Sequence, residues 1–336
     1  MIKIGVIGYG YWGPNLVRNF QQCDATSVTC VCDIHTSVLD RVKASHPGVD
    51  GTVWTEELIN RNDVDAVVIA TPVSTHFELA LDALKAGKHV FVEKPMTQTA
   101  AQSEQLIEEA AKRNLILMVD HTFIYTGPVC KIRELVTTGA LGDILYYDSV
   151  RINLGLFQHD IDVLWDLAPH DLSIMHDVVP HKPIAVSATG LSHFPGEPEN
   201  TAYMTIFFDG NCIGHIHANW MSPVKLRHTL VGGSKQMVVY NDLEPTEKVK
   251  VYNKGVTINH NRESVHEMLV SYRSGDVHIP QVEQAEALAV EVKHFADCIE
   301  NHKVPQSDGA AGLDVVRILE AATESMSKQG RPVELP

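Results

Sequence analysis

The stretch Ile2-Lys3-Ile4-Gly5-Val6-Ile7-Gly8-Tyr9-Gly10-Tyr11-Trp12-Gly13-Pro14 decides the fold. Ile2 to Ile7 is a short apolar run rich in branched residues, which predicts a buried strand. The chain then turns through the pattern GxGxxG and enters a helix predicted over Asn15 to Gln22. Pro14 suits the first helical position, where no backbone N–H is needed. Gly8 permits the tight turn, Gly10 lets a pyrophosphate approach the backbone, and Gly13 lets helix and strand pack closely. A second apolar run, Val28 to Cys32, ends at Asp33, twenty residues beyond Gly13. An acid there accepts hydrogen bonds from the adenosine ribose hydroxyls and repels a 2′-phosphate. The stretch therefore predicts a dinucleotide site formed by Gly8, Gly10, Tyr11, Trp12, Gly13, Asp33 and Ile34, with NAD as cofactor in preference to NADP. A lone GxGxxG carries little weight, and the strand before it, the helix after it and the acid at the right distance supply the rest. For Asp33 a capping or turn role is the alternative.

From Val64 onward, strand and helix periods alternate as a parallel sheet requires. Val64 to Ala70 is a continuous apolar strand closed by Thr71-Pro72. Ser74 to Ala86 is helical, with Leu79, Leu81 and Leu84 among its apolar positions and Gly87 at the C-terminal cap. His89 to Val92 is a strand, Thr99 to Arg113 a helix ending at Asn114, and Leu115 to Val119 another strand. Residues 1–120 thus read as a doubly wound α/β domain that binds the cofactor, with ligands in the crevice beyond the strand carboxyl ends. Residues 121–336 are left for substrate binding and oligomerisation. Two loops enter the crevice. Thr71, Pro72 and His76 sit at one, where His76 either touches the cofactor or makes a helix-terminal hydrogen bond. Glu93-Lys94-Pro95 forms the other, where Glu93 and Lys94 are expected to contact the cofactor, and proline restricts Lys94 to an extended conformation that aims its amine at the nicotinamide region. Such a lysine can hydrogen-bond a substrate hydroxyl and stabilise the alkoxide that forms as hydride departs. An exposed loop lysine is the plainer reading.

Further along lies Trp165-Asp166-Leu167-Ala168-Pro169-His170-Asp171-Leu172-Ser173. If helical, it places Asp166 and His170 one turn apart on one face. If the helix begins at Pro169, Asp166 falls in the preceding turn. Histidine accepts protons near neutral pH, and a neighbouring carboxylate orients the imidazole or grips a hydroxyl. Arg151 to Leu156 reads as a strand end and loop. Arg151 and Asn153 alternate onto one face and either bind an anionic group of the substrate or leave Arg151 to pair with a surface acid. Beyond Lys182 the pattern alternates over Ala185 to Ala188, Ala202 to Phe208, Ile213 to Ala218, Leu226 to Val231 and Met237 to Tyr240, predicting a strand meander with one buried face. Its other face is a candidate oligomer interface.

Composition narrows the classes. A chain of 336 residues is long enough for two domains. With 44% hydrophobic and 21% charged residues it is neither disordered nor fibrous. A net charge of −15 opposes nonspecific attraction to nucleic acid or to an anionic membrane. No apolar run approaches the length of a membrane span and no signal-peptide layout opens the chain, so a cytoplasmic location is expected. Six cysteines lack paired CxxC spacing, and Cys30 and Cys32 read as buried thiols. His215 and His217 share a strand face, but no third ligand accompanies them and no metal is expected.

The GxGxxG turn, Glu93-Lys94-Pro95 and Asp166-x-x-x-His170 together resemble the glucose-fructose oxidoreductase, inositol dehydrogenase and rhizopine-catabolism (Gfo/Idh/MocA) family. The resemblance extends to the C-terminal helices, with Leu288, Val292, Phe295 and Ile299 on one face and a last helix from about Gly312 to Lys328. It implies an N-terminal Rossmann domain and a C-terminal α/β domain whose mainly antiparallel open sheet mediates homodimers or homotetramers. It also implies Lys94 and His170 as the catalytic pair, with Asp166 holding the reacting hydroxyl, and adds Lys94, Asp166 and His170 to Arg151 and Asn153 as substrate ligands. The implied reaction is hydride transfer between NAD and a secondary alcohol of a sugar, cyclitol or nucleotide sugar. The chain looks most similar to the dehydrogenases of UDP-N-acetylglucosaminuronate type. An inositol or free-sugar dehydrogenase, or a sugar 3-ketoreductase, is the alternative among enzymes, and a non-catalytic cofactor-sensing regulator is the alternative of another class. Where many members have Arg-Phe-x-Pro this chain has Tyr125-Thr126-Gly127-Pro128, and Ser173 replaces an acid three residues beyond the histidine.

Overall fold

A computed structural model of the chain describes residues 1–155, 157–258 and 270–336. By contact they form two units, Met1–Tyr125 with Ala285–Glu320, and Thr126–Gln284 with Ala321–Pro336. The chain therefore returns to its first unit after building most of the second, instead of crossing once near residue 120.

The first unit alternates β1 (Ile2–Ile7), α1 (Gly13–Gln22), β2 (Thr26–Cys32), α2 (Thr36–Ser45), β3 (Asp50–Thr52), α3 (Thr55–Ile59), β4 (Ala66–Ile69), α4 (Val73–Lys85), β5 (His89–Glu93), α5 (Ala100–Arg113) and β6 (Leu117–Asp120). The strands pair in parallel in the order β3-β2-β1-β4-β5-β6. Strands buried on both faces need continuous apolar sequence, and Ala66 to Ile69 of β4 are all fully buried. The order reverses between β1 and β4, which places the ligand crevice beyond their carboxyl ends. Thr99 caps α5 by accepting from the Gln102 amide, and Asn114 closes it in the left-handed conformation (φ 54°).

In the second unit lie α6 (Gly127–Thr137), β7 (Ile144–Leu154), α7 (Val163–Val178), β8 (Pro183–Leu191), β9 (Thr201–Phe208), β10 (Ile213–Asn219), β11 (Met221–Gly233), β12 (Met237–Asn241), β13 (Val249–Ile258) and β14 (Val270–His278). Then α8 (Ala287–Asn301) packs on the first unit, where the Phe295 ring meets Phe20 and Phe91 edge to face at centroid distances of 6.2 and 5.4 Å. Both C-terminal helices were expected in the second domain. The apolar face of α8 instead completes the core over β1 and β5, and only the end of α9 (Gly309–Ser327) and β15 (Val333–Glu334) rejoin the second unit.

The second sheet runs β14-β13-β12-β11-β7-β10-β9-β8-β15 among the described residues. It is antiparallel except where β10 lies parallel to β7. The expected meander is thus interrupted by β7, which comes earlier in the chain and inserts between β10 and β11. Alternation holds along β9, with Ala202, Met204, Ile206 and Phe208 buried while Tyr203 and Phe207 face outward with Ile213 of β10. Leu164, Ala168, Leu172 and Met175 of α7 are buried in this unit. Arg151 to Leu154 belong to the strand, not to a loop, and Leu156, the expected end of that stretch, lies outside the described residues.

Candidate active site

The glycine-rich turn is shaped by close approach. Gly8 has φ +96°, and a Cβ there would lie 2.4 Å from the Ala70 carbonyl oxygen. A Cβ on Gly13 would lie 2.4 Å from the Gly8 oxygen, whereas one on Gly10 would meet nothing within 4 Å. The open side of the turn is therefore at Gly10, where a phosphate must come near the backbone. Helix α1, which follows, has no side-chain cap and no acid in its first turn, so its N-terminal amides suit an anion. Asp33 accepts from the Tyr9 amide at 2.9 Å and the His35 amide at 3.0 Å, which fixes its carboxylate between the turn and the end of β2. Tyr11 and Ile34 are 91% and 76% exposed. The residues present fit a dinucleotide: an open turn, a helix N-terminus with no acid in its first turn and a placed acid.

Trp12 and His76, two further expected cofactor contacts, also bond within the first unit. Trp12 donates its indole N–H to Asp120 at 2.9 Å. His76, 1% exposed, has Nδ1 3.0 Å from the Pro95 oxygen and Nε2 2.8 Å from the Thr71 oxygen. It ties the loop after β4 to the loop after β5, which is the packing alternative to touching the cofactor. Burial lowers its pKa while those carbonyls oppose the shift. Thr71 shares a hydroxyl–hydroxyl bond of 2.7 Å with Thr75, and Pro72 is exposed beside it. Glu93, the last residue of β5, is half-buried. Its Oε1 is buried, and burial plus the neighbouring Asp120 carboxyl raise its pKa well above the carboxylate range. Glu291 on α8 is raised by the same two causes. Lys94 is half-buried at the end of β5, joined to Pro95 by a cis peptide.

Helix α7 builds the site of the second unit. Asp162 caps it, accepting from the Leu164 and Trp165 amides at 2.8 and 3.1 Å, and Pro169 lies inside the helix, not at its start. Asp166 and His170 consequently keep their one-turn spacing on one face. The Asp166 Oδ2 accepts from the indole of Trp220, a fully buried residue just beyond β10, at 3.0 Å. Behind His170, Asp171 is gripped from β7. Tyr147 donates to its backbone oxygen at 2.9 Å, Ser149 to Oδ1 at 2.7 Å, and Arg151 to Oδ2 and Oδ1 at 2.6 and 3.1 Å. Arg151 is 5% exposed, so its expected role as a substrate ligand gives way to an ion pair, with a buried acid instead of a surface one. Ser173 bonds back to the His170 oxygen at 2.9 Å. Trp220 and Asp171 are additional residues of this cluster, beyond those the spacing of Asp166 and His170 points to. Asp171 stood inside the quoted motif, but charge alone did not reveal that it is buried.

The remaining departures also have local reasons. Thr126 caps α6, and a Cβ on Gly127 would fall 2.0 Å from the Glu283 oxygen, so the Thr126-Gly127-Pro128 segment is a capped, tightly packed helix start. The ring of His217 stacks on Tyr203 at 4.4 Å, and His215 lies 3.4 Å from Asp148. Among the described residues, no group of three His, Cys, Asp or Glu side chains could hold a metal, and no helix is long and apolar enough to cross a membrane.

A doubly wound sheet with an open glycine turn at its switch point defines a Rossmann-type dinucleotide-binding protein with an appended α/β unit. The chain belongs to the Gfo/Idh/MocA oxidoreductase family. The family's NAD-binding Rossmann fold matches residues 2–121 and its C-terminal α/β domain matches residues 133–335. The chain is 30% identical over 164 residues to the scyllo-inositol 2-dehydrogenase (NADP(+)) of Bacillus subtilis, covering 49% of this chain and 44% of that protein. It is also 30% identical over 164 residues to the α-N-acetylgalactosaminidase of Shewanella oneidensis, covering 46% and 35%. The matched stretch thus spans less than half the length of these curated relatives. The solved UDP-N-acetylglucosamine 3-dehydrogenase of Acidithiobacillus ferrooxidans shares the fold, with a TM-score of 0.79 at 23% identity over 97% of this chain and 98% of that one.

Proposed function

We propose that this protein is a NAD-dependent dehydrogenase that oxidises a secondary alcohol on a sugar or nucleotide sugar, reversibly. The observation that carries the reading is Lys94 at the carboxyl end of β5, in the sheet whose switch point bears the open glycine turn. Gly8, Gly10 and Gly13 receive the pyrophosphate together with the α1 amides. Asp33 receives the adenosine ribose and disfavours a 2′-phosphate, while exposed Tyr11 and Ile34 flank it. The bound cofactor supplies the hydride acceptor. Lys94 donates to the substrate oxygen and stabilises negative charge as it develops, and His170 takes the hydroxyl proton. Asp166, oriented by Trp220, holds the hydroxyl or the imidazole. Asn153 remains a candidate substrate ligand.

The named relatives support a polyol ring as substrate, and the nucleotide-sugar branch is the reading we favour over inositol or a free sugar. The outward face bearing Tyr203, Phe207 and Ile213 supports a homodimer or homotetramer, because uncovered apolar sheet is costly in water. The six cysteines form no disulfide among the described residues, which supports a cytoplasmic location. The test is a screen of sugars, cyclitols and UDP-sugars for absorbance change at the nicotinamide band with NAD and with NADP. Turnover of a ring alcohol with NAD is expected, and Lys94→Ala lowers it by about 10²- to 10⁴-fold while leaving NAD affinity nearly unchanged. Cofactor binding without turnover of any ring alcohol would favour the regulatory alternative.

A further inference from the structure

We propose that Phe194, held edge-on by Phe157, forms a stacking platform for the ring that carries the reacting hydroxyl, a pyranose or cyclitol. The inference rests on the dehydrogenase reading and states how its substrate is held. Phe157 lies 5.5 Å from Trp220, tilted 51°, and Phe194 stands edge-on to Phe157 at 5.5 Å. Burial grades along the series: Trp220 is 1% exposed, Phe157 is half-buried, and Phe194 is 44% exposed. An aromatic pair that served only the core would close over its outer ring.

The same indole that supports the platform donates to Asp166, so the apolar surface and the carboxylate share one fixed residue. Asn153 joins them, since a Cβ on Gly155 would lie 3.0 Å from the Asn153 amide nitrogen and 3.3 Å from Trp220 Cδ1. Two loops carry the phenylalanines and brace each other. His159 lies 2.7 Å from Glu197 and the Val163 amide donates to the Glu199 oxygen at 2.9 Å, while His193, 2.7 Å from Asn200, closes the Phe194 loop on itself. An aromatic wall beside a carboxylate and an amide matches a ring polyol, which has an apolar C–H face and hydroxyls around its rim.

The test is calorimetric binding of UDP-N-acetylglucosamine, D-glucose, scyllo-inositol and UDP to the NADH-loaded protein, for wild type, Phe194→Ala and Phe194→Tyr. At least one of the three ring compounds binds wild type. Phe194→Ala weakens that binding by about 5- to 20-fold, as loss of a stacking partner does, and Phe194→Tyr restores it. NADH affinity stays unchanged. Unaltered ring binding in Phe194→Ala, loss of UDP affinity to the same degree as ring affinity, or no ring compound bound by wild type would each overturn the platform. Ring binding that depends on Phe194 without turnover sinks the dehydrogenase reading alone. Turnover with a KM indifferent to Phe194 sinks the platform alone.

Discussion

The two proposed catalytic side chains are held in different ways. Lys94 follows a parallel strand, and its loop is tied by backbone carbonyls to one buried imidazole, His76. His170 rides on a helix clamped by a buried ion pair, in which Arg151, Ser149 and Tyr147 of a single strand face all close on Asp171. A strand end already lies at the crevice and needs only its loop fixed. A helix must be fixed in rotation, and a charged latch with several donors does that better than apolar contact, which tolerates sliding.

The contrast can be broken from the second unit first. Arg151→Met leaves the Asp171 carboxylate buried without its cation, so a loss of about 3–5 kcal/mol is expected in chemical denaturation. Hydrogen exchange should speed up along α7 while NADH binding by the first unit holds. The reciprocal change, His76→Leu, removes the imidazole that bridges the Pro95 and Thr71 carbonyls and should cost roughly 1–3 kcal/mol. It should lower turnover through Lys94 and leave α7 exchange unaltered. If both variants perturbed both units equally, the distinction would fail.

A smaller effect sharpens the α7 side. Burial raises the pKa of the capping residue Asp162 from 3.8 to about 6. Between those values the folded protein keeps a proton that the unfolded chain has released. Stability from this group therefore falls as pH rises through that window. Asp162→Asn keeps an oxygen for the Leu164 and Trp165 amides, so its stability relative to wild type should rise from pH 4 to pH 7. Urea midpoints at the two pH values measure this, and a constant difference would contradict it.

How much of this was legible in sequence follows from how local each cause is. Fully buried parallel strands need unbroken apolar runs, so β1, β2, β4 and β5 announced themselves. Alternation of polar with apolar residues hid much of β7, because Tyr147, Ser149 and Arg151 point inward to satisfy Asp171. Its insertion beside β10 joins segments about sixty residues apart in the chain, and nothing in either segment encodes the partner. The Asp166 and His170 spacing was readable because it is a property of one helix. Trp220 was not, since it reaches Asp166 from the junction of β10 and β11, far along the chain. The return of α8 to the first unit was likewise hidden: its amphipathic face shows that it packs, while the Phe20 and Phe91 rings that receive Phe295 lie far away in sequence.

In the proposed reaction Lys94 and His170 act on one hydroxyl in one step. A double-mutant cycle tests it most directly, with Lys94→Ala, His170→Ala and the double variant compared by kcat on the ring alcohol found in the screen. Residues that serve a single transition state are strongly non-additive, so each single change should lower kcat by about 10²- to 10⁴-fold and the double little further. Losses that simply multiply would contradict the account.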